Sequence, residues 1–378
     1  MIPYGRQCID DDDVRAVCEA LRSDWLTTGP RVEAFESSVA RFANAAYGVA
    51  VSSGTAALHC AMHALGVGPG DEVIVPSMTF AATANCVLYT GGTPVFADVD
   101  PATLLLPASE VARLATPRSK AVIAVDYAGQ CCDYEALREQ CDERGLALVA
   151  DACHALGATR NGRPAGSLAD MTVFSFHPVK HVTTGEGGMV VGSDPAFLAA
   201  LKRFRNHGID SEFRQRQAQN SWVYDMVELG MNYRITDIQC ALGITQMDKL
   251  PGFLERRRAI AARYDAAFAG TAVRPLDALP GNLHAYHLYV VRVPGRDSAF
   301  ARLRQDGIGV NVHYIPAHLH SHYRKTLGTG EGLCPQAEEA YRDILSLPLH
   351  PGMTDADVQT VISSTLNSVA PPLAVGKP

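Results

Sequence analysis

The chain has 378 residues, with 33 lysines and arginines against 40 aspartates and glutamates, for a formal net charge of −7. That balance argues against a general nucleic-acid binder, and a content of 47% hydrophobic and 19% charged residues describes an ordinary globular protein, not a disordered or fibrous one. Single cores stop growing at roughly 250 to 300 residues, so two structural units are expected. No run approaches the ~18 apolar residues of a membrane span, and the start "MIPYGRQCIDDDD" lacks the basic and apolar character of an export signal, which predicts a cytoplasmic protein.

In chain order, an N-terminal arm is followed by short β-branched runs: "YGVAVSS", "DEVIVPS", "TPVFADVD", "KAVIAVDYAG", "LALVADACH", "MTVFSFH" and "GGMVVGS". Segments of helical length lie between several of them, among them residues 55–65, 79–89 and 133–144. This alternation predicts an α/β fold, a mainly parallel sheet covered by helices, with ligands at the carboxyl ends of the strands. From about Thr236 the pattern changes to a long helical stretch through Ala267, then "AYHLYVVRV", a helical segment over 298–306, "IGVNVHYIP" and two more helical segments ending near Val369. We therefore expect an arm and large domain over 1–245 and a smaller α+β domain over 246–378, closing on a loose tail, "APPLAVGKP".

Ten cysteines without CxxC spacing, mostly inside apolar segments, read as reduced structural thiols. Adjacent Cys131 and Cys132 cannot easily share a metal. His177 and His181 have i, i+4 spacing and His318, His320 and His322 alternate, but neither set has the acidic partner of an HExxH site, so no metal is expected. The arginines at 203–205 and 256–258 fall in helical segments and read as solvated faces.

Three strand ends carry groups that make chemical sense together. In "SSGTAALHC", Ser52, Ser53, Gly54 and Thr55 lie at a strand-to-helix turn, where backbone N–H groups, a hydroxyl and the helix dipole favour an anion. In "VADACHALG", Asp151 ends an apolar strand, where a carboxylate needs a cationic or hydrogen-bonding partner. In "VFSFHPVK", Ser175 and Lys180 leave the sheet in one loop. A phosphate cradle, an acid and a strand-end lysine fit pyridoxal 5'-phosphate, whose aldehyde condenses with a lysine amine and whose pyridine nitrogen needs a carboxylate. Neither GxGxxG opening the first strand–helix unit nor GxxxxGK[ST] occurs, which argues against a dinucleotide or P-loop site.

These motifs resemble the nucleotide-sugar aminotransferases of the DegT/DnrJ/StrS type, within the aspartate-aminotransferase fold (fold type I). "DWLTTGP", "VSSGTAALH", "DEVIVPSMTF", "GTPVFADVD", "DACHALGA", "FSFHPVKHVTTGEGG", "LGMNYRITDIQCALG" and "VNVHYIP" follow the family's order over almost the whole chain. The "PYGRQ" arm and "SFHPVKH" are most similar to the branch that makes UDP-4-amino-4,6-dideoxy-N-acetyl-β-L-altrosamine in pseudaminic acid synthesis. The resemblance implies that Lys180 anchors the cofactor and carries the catalysis, and that Asp151 meets the pyridine nitrogen. It places His154 near the ring hydroxyl, Ser175 with Gly54 and Thr55 at the phosphate, and Phe80 on the ring. Asn232 would reach the cofactor phosphate of a neighbouring subunit in a homodimer with shared sites. Tyr4, Trp25, Leu26, Thr27, Ser53, His313 and Tyr314 would touch the sugar nucleotide.

The implied reaction moves an amino group from glutamate to C4 of a UDP-4-keto-6-deoxy-N-acetylhexosamine of the L-altro series. Other 4-keto or 3-keto nucleotide sugars are the alternative. Ala150 stands where the family often has glutamate and Cys153 where it has alanine; both departures leave Asp151 intact. Dehydratase relatives carry histidine at the position of Lys180, which argues against that reading. A cofactor-binding regulator would bring a DNA-binding module, and no helix-turn-helix or basic extension is evident.

Overall fold

The computed structural model describes residues 1–211 and 213–369; the expected tail, 370–378, lies outside the described residues. All seven β-branched runs form strands of one sheet: β1 (Tyr47–Val51), β2 (Glu72–Pro76), β3 (Thr93–Ala97), β4 (Ser119–Val125), β5 (Ala147–Asp151), β6 (Met171–Ser175) and β7 (Gly188–Gly192). Their spatial order is β1-β7-β6-β5-β4-β2-β3. β6, β5, β4, β2 and β3 run parallel, and β7 is antiparallel to both of its neighbours. Val49, Ile74, Val122, Leu148 and Val173 are wholly buried, because helices cover both faces; parallel strands in that position read as continuous apolar runs without alternation. Each such side chain contributes on the order of 1.5–3 kcal/mol.

The long helix Asp237–Phe268 begins where its cap dictates. Thr236 Oγ1 accepts from Gln239 N at 3.2 Å, and Thr236 N donates to Gln239 Oε1 at 3.1 Å, a reciprocal capping box. The expected domain division at 245/246 falls inside this helix. Beyond it, an antiparallel sheet of Arg274–Pro275, Tyr289–Arg292 and Ile344–Leu347 packs with the helices Arg296–Gln305 and Asp355–Val369 around a second core that includes Tyr264, Val291, Leu303, Leu345 and Val361. The N-terminal arm is tied to this second unit: Ile2 pairs with Ile308, and Gly309 N donates to Ile2 O at 2.7 Å.

Two expectations change. "IGVNVHYIP" forms no strand, only isolated bridges, of Ile308 to Ile2 and of Asn311 to Ser346. The Asn311 side chain takes the Val312 N–H at 2.8 Å, so that donor is satisfied locally instead of by a ladder. The C-terminal part holds three helices, not two, over Ser321–Leu327, Pro335–Asp343 and Asp355–Val369. Gly328, at φ +68°, closes the first and Pro335 opens the second. Ala317, Tyr323, Cys334, Ala337 and Ile344 from this region pack into the core of the large sheet. Among the described residues no helix is long and apolar enough to cross a membrane.

Candidate active site

A cleft of about 680 Å³ opens at the carboxyl ends of β1, β5 and β6. Asp151 is the last residue of β5, and the adjacent parallel strand β6 ends at Ser175. Past Ser175 the chain makes an excursion to β7 that is stitched at its neck: Phe176 N donates to Gly187 O at 2.8 Å and Thr184 N to Phe176 O at 3.0 Å. Within that excursion a turn, Lys180 N to His177 O at 2.9 Å, sets Lys180 on the wall of the cleft. Opposite, Ser53 caps the helix Gly54–Ala64 by accepting from Ala56 N at 3.1 Å. That leaves other first-turn N–H groups, including those of Gly54 and Thr55, at the cleft. A Cβ on Gly54 would lie 2.9 Å from Ser175 Cβ and 3.3 Å from Cys153 Sγ, so only glycine lets helix, β6 and the Asp151 loop converge here.

Asp151 is buried and held by a hydroxyl chain: Thr83 Oγ1 donates to Asp151 Oδ2 at 2.7 Å. Because that single O–H is spent, Thr79 must donate its own to Thr83, also at 2.7 Å. The Cys153 amide adds a contact to Oδ1 at 3.3 Å. Burial lowers the pKa of Lys180, while the Cys153 thiol and the Asp151 carboxylate act in the opposite direction. Burial, helped by the nearby Lys180, holds His154 well below the usual imidazole range. His154 Nε2 is 3.0 Å from Tyr314 Oη, and its buried Nδ1 has no partner among the described residues. His287 packs against it with ring centroids 4.4 Å apart.

The structure brings Tyr4, Ser53, Gly54, Thr55 and Phe80 together with Asp151, His154, Ser175, Lys180, His313 and Tyr314 around this one cleft. Phe80 is 60% exposed on its rim, 6.0 Å between ring centroids from Tyr314. Four expected residues do not line it. Trp25, Leu26 and Thr27 belong to the segment bridged to Thr236, and Asn232 pairs with Asn206. Thr27 instead lines a separate, arginine-rich cleft of about 560 Å³ with Arg205, Asn206, Arg214, Arg216 and Arg234.

Sequence reasoning missed Thr79, Thr83, His287 and Asn311. The threonines carry no local signal, since the carboxylate they serve is 68 residues from Thr83. His287, a polar residue opening the apolar run "HLYVV", and Asn311, a polar residue between Val310 and Val312, are visible irregularities. Among the described residues no group of three or more His, Cys, Asp or Glu side chains is placed to hold a metal ion.

A half-buried lysine in the loop after a strand, a hydrogen-bonded strand-end carboxylate and a helix N-terminus open to the cleft are the parts of a group-transfer enzyme built around a phosphorylated carbonyl cofactor. The DegT/DnrJ/EryC1/StrS aminotransferase family model matches residues 7–366. The chain is 39% identical to the spore coat polysaccharide biosynthesis protein SpsC of Bacillus subtilis, over 97% of each chain. Among solved structures it is similar to the putative sugar aminotransferase Spr1654 of Streptococcus pneumoniae in its PMP-form, with a TM-score of 0.93 and 33% identity over 98% of this chain and 99% of that one. It is also similar to Helicobacter pylori PseC, an aminotransferase involved in the biosynthesis of pseudoaminic acid, with a TM-score of 0.91 and 30% identity over 97% and 99%. The chain belongs to the DegT/DnrJ/EryC1/StrS aminotransferase family.

Proposed function

We propose that the protein is a pyridoxal 5'-phosphate-dependent sugar aminotransferase that uses glutamate to aminate C4 of a UDP-linked 4-keto-6-deoxy-N-acetylhexosamine of the L-altro series, in pseudaminic acid synthesis. The observation that carries this reading is the convergence of Lys180, Asp151 and the Ser53–Thr55 helix start on one cleft. Spr1654 has been solved in PLP- and PMP-forms, which supports the cofactor, and PseC supports the sugar. SpsC, named for spore coat polysaccharide, points to the wider alternative of another keto sugar nucleotide.

The residues present fit the cofactor. The close approach at Gly54 brings the Gly54 and Thr55 N–H groups beside Ser175, donors suited to a phosphate, and the orphaned His154 Nδ1 offers a buried polar atom to a ring hydroxyl. Asp151, anchored by Thr83, would hold the pyridine nitrogen protonated. When bound, the cofactor supplies an electron sink for the carbanion that amino transfer requires. Lys180 Nζ would take the proton from the α-carbon of the amino donor and, in the second half of the reaction, deliver a proton to C4 of the sugar. Its lowered pKa favours the neutral amine that a base needs. Phe80 and Tyr314 would cover the reacting atoms against water.

The active unit on this reading is a homodimer with shared sites. Support comes from Trp222, Tyr224, Met226 and Leu229, large apolar side chains that are exposed close to Asn232 in the chain. In such a dimer Asn232, and with it Trp25, Leu26 and Thr27, would serve the neighbouring subunit's cleft.

A panel of UDP- and dTDP-linked 4-keto and 3-keto sugars with glutamate, products assigned by mass and NMR, tests the reading. The L-altro 4-keto compound is expected to give the highest kcat/KM. Equal or better turnover of the D-gluco epimer would overturn the substrate while leaving an aminotransferase.

A further inference from the structure

We infer that Asn311 is a specificity-determining residue that reads the sugar substrate directly, and that the neighbouring imidazole of His313 acts only to hold it. The inference rests on the reading above in taking a keto sugar nucleotide as the molecule that enters the cleft.

Asn311 lines the same cleft as Ser53 and Lys180. Its orientation follows from the hydrogen-bond network. The Val312 backbone N–H donates to Asn311 Oδ1 at 2.8 Å, and a backbone N–H can only donate, so the oxygen end of the carboxamide is fixed. Nδ2 then faces His313 Nε2 at 3.2 Å. An amide nitrogen also only donates, so His313 Nε2 must offer its lone pair. The ring proton therefore sits on Nδ1, 2.9 Å from Ser346 Oγ, which accepts it. Both nitrogens of His313 are spent inside the protein.

The frame beneath this clamp is rigid. Ser346 N donates to Asn311 O at 2.8 Å and Asn311 N to Ser346 O at 3.2 Å. Ser346 lies on the buried strand Ile344–Leu347, which places it in the small sheet. What remains unspent on Asn311 among the described residues is one Nδ2–H and one Oδ1 lone pair, on a half-buried residue at the cleft. A donor and an acceptor side by side match a sugar hydroxyl or carbonyl oxygen, and they discriminate ring stereochemistry, because an epimer leaves them unpaired.

The test compares wild type with Asn311→Ala and Asn311→Asp on whichever keto sugar nucleotide the wild type turns over fastest. Another sugar preference would thus overturn the substrate reading without touching this comparison. The aspartate variant keeps the Val312 contact and lets His313 switch its proton to Nε2, so the clamp is rebuilt while the substrate-facing N–H is gone. In both variants KM for the sugar, and its calorimetric Kd measured without amino donor, should rise about tenfold, with KM for glutamate and cofactor retention unchanged. Sugar KM and Kd within twofold of wild type in both variants would overturn the inference. So would equal losses toward sugar and glutamate, which mark a structural role.

Discussion

Thr83 and Asp151 lie 68 residues apart and meet at 2.7 Å, so one hydroxyl holds the carboxylate that closes β5. Thr83→Val keeps the shape and removes the donor, leaving a buried carboxylate oxygen unpaired at a cost of about 1–3 kcal/mol. The variant should fold, lose cofactor faster on dialysis and show a kcat/KM reduced by tenfold or more. Thr83→Ser should recover most of both, and a valine variant indistinguishable from wild type would remove Asp151 positioning from the mechanism.

On the proposed reading, Lys180 is the residue on which the amino-transfer chemistry turns. Purified protein should be yellow, and borohydride should fix the cofactor covalently on Lys180. Peptide mapping of the adduct to Lys202 or Lys249 would contradict the assignment. Lys180→Ala should keep some cofactor through the helix start at Gly54 and Thr55 yet turn over at least a thousandfold more slowly, by roughly the margin that general acid–base catalysis supplies.

Shared sites predict complementation. Lys180→Ala and Asn232→Ala chains, each nearly inactive alone, should regain part of the activity when mixed and allowed to exchange, since one site of the heterodimer then holds both groups. A fully active monomer in sedimentation at assay concentration rules the arrangement out.

The buried histidines make stability pH-dependent in one direction. Burial holds His154, His181 and His287 well below the usual range and pushes His59 and His313 down to about 4. Below about pH 6.5 the unfolded chain binds protons that the folded chain refuses, so the unfolded state carries more protons and stability falls with falling pH. Each such group removes up to about 1.4 kcal/mol per pH unit in that window. Urea midpoints of the cofactor-free protein should therefore drop steadily between pH 7 and pH 5, and a flat profile there would contradict the burial of these rings.

Much of the large sheet was legible because the parallel strands are buried on both faces, which turns "DEVIVPS" and "LALVADACH" into apolar runs of strand length. The long helix was equally legible from Thr236, whose capping partner Gln239 stands three residues away. Lys180, Asp151 and the Ser53–Thr55 turn could be singled out because strand ends and helix starts are local features of a sequence. The Thr79–Thr83–Asp151 chain, the tautomer of His313 and the Asn311–Ser346 bridge could not, because each joins segments whose proximity exists only after the strands and the small sheet have packed. The same reason separates Tyr4 from Trp25, Leu26 and Thr27. The arm carrying Tyr4 pairs through Ile2 with Ile308 and reaches this chain's own cleft, whereas the segment of Thr27 pairs with Thr236 and Thr27 lines a separate cleft. Local patterning singled out the residues proposed to carry the chemistry; long-range backbone pairing decided which of them share a cleft.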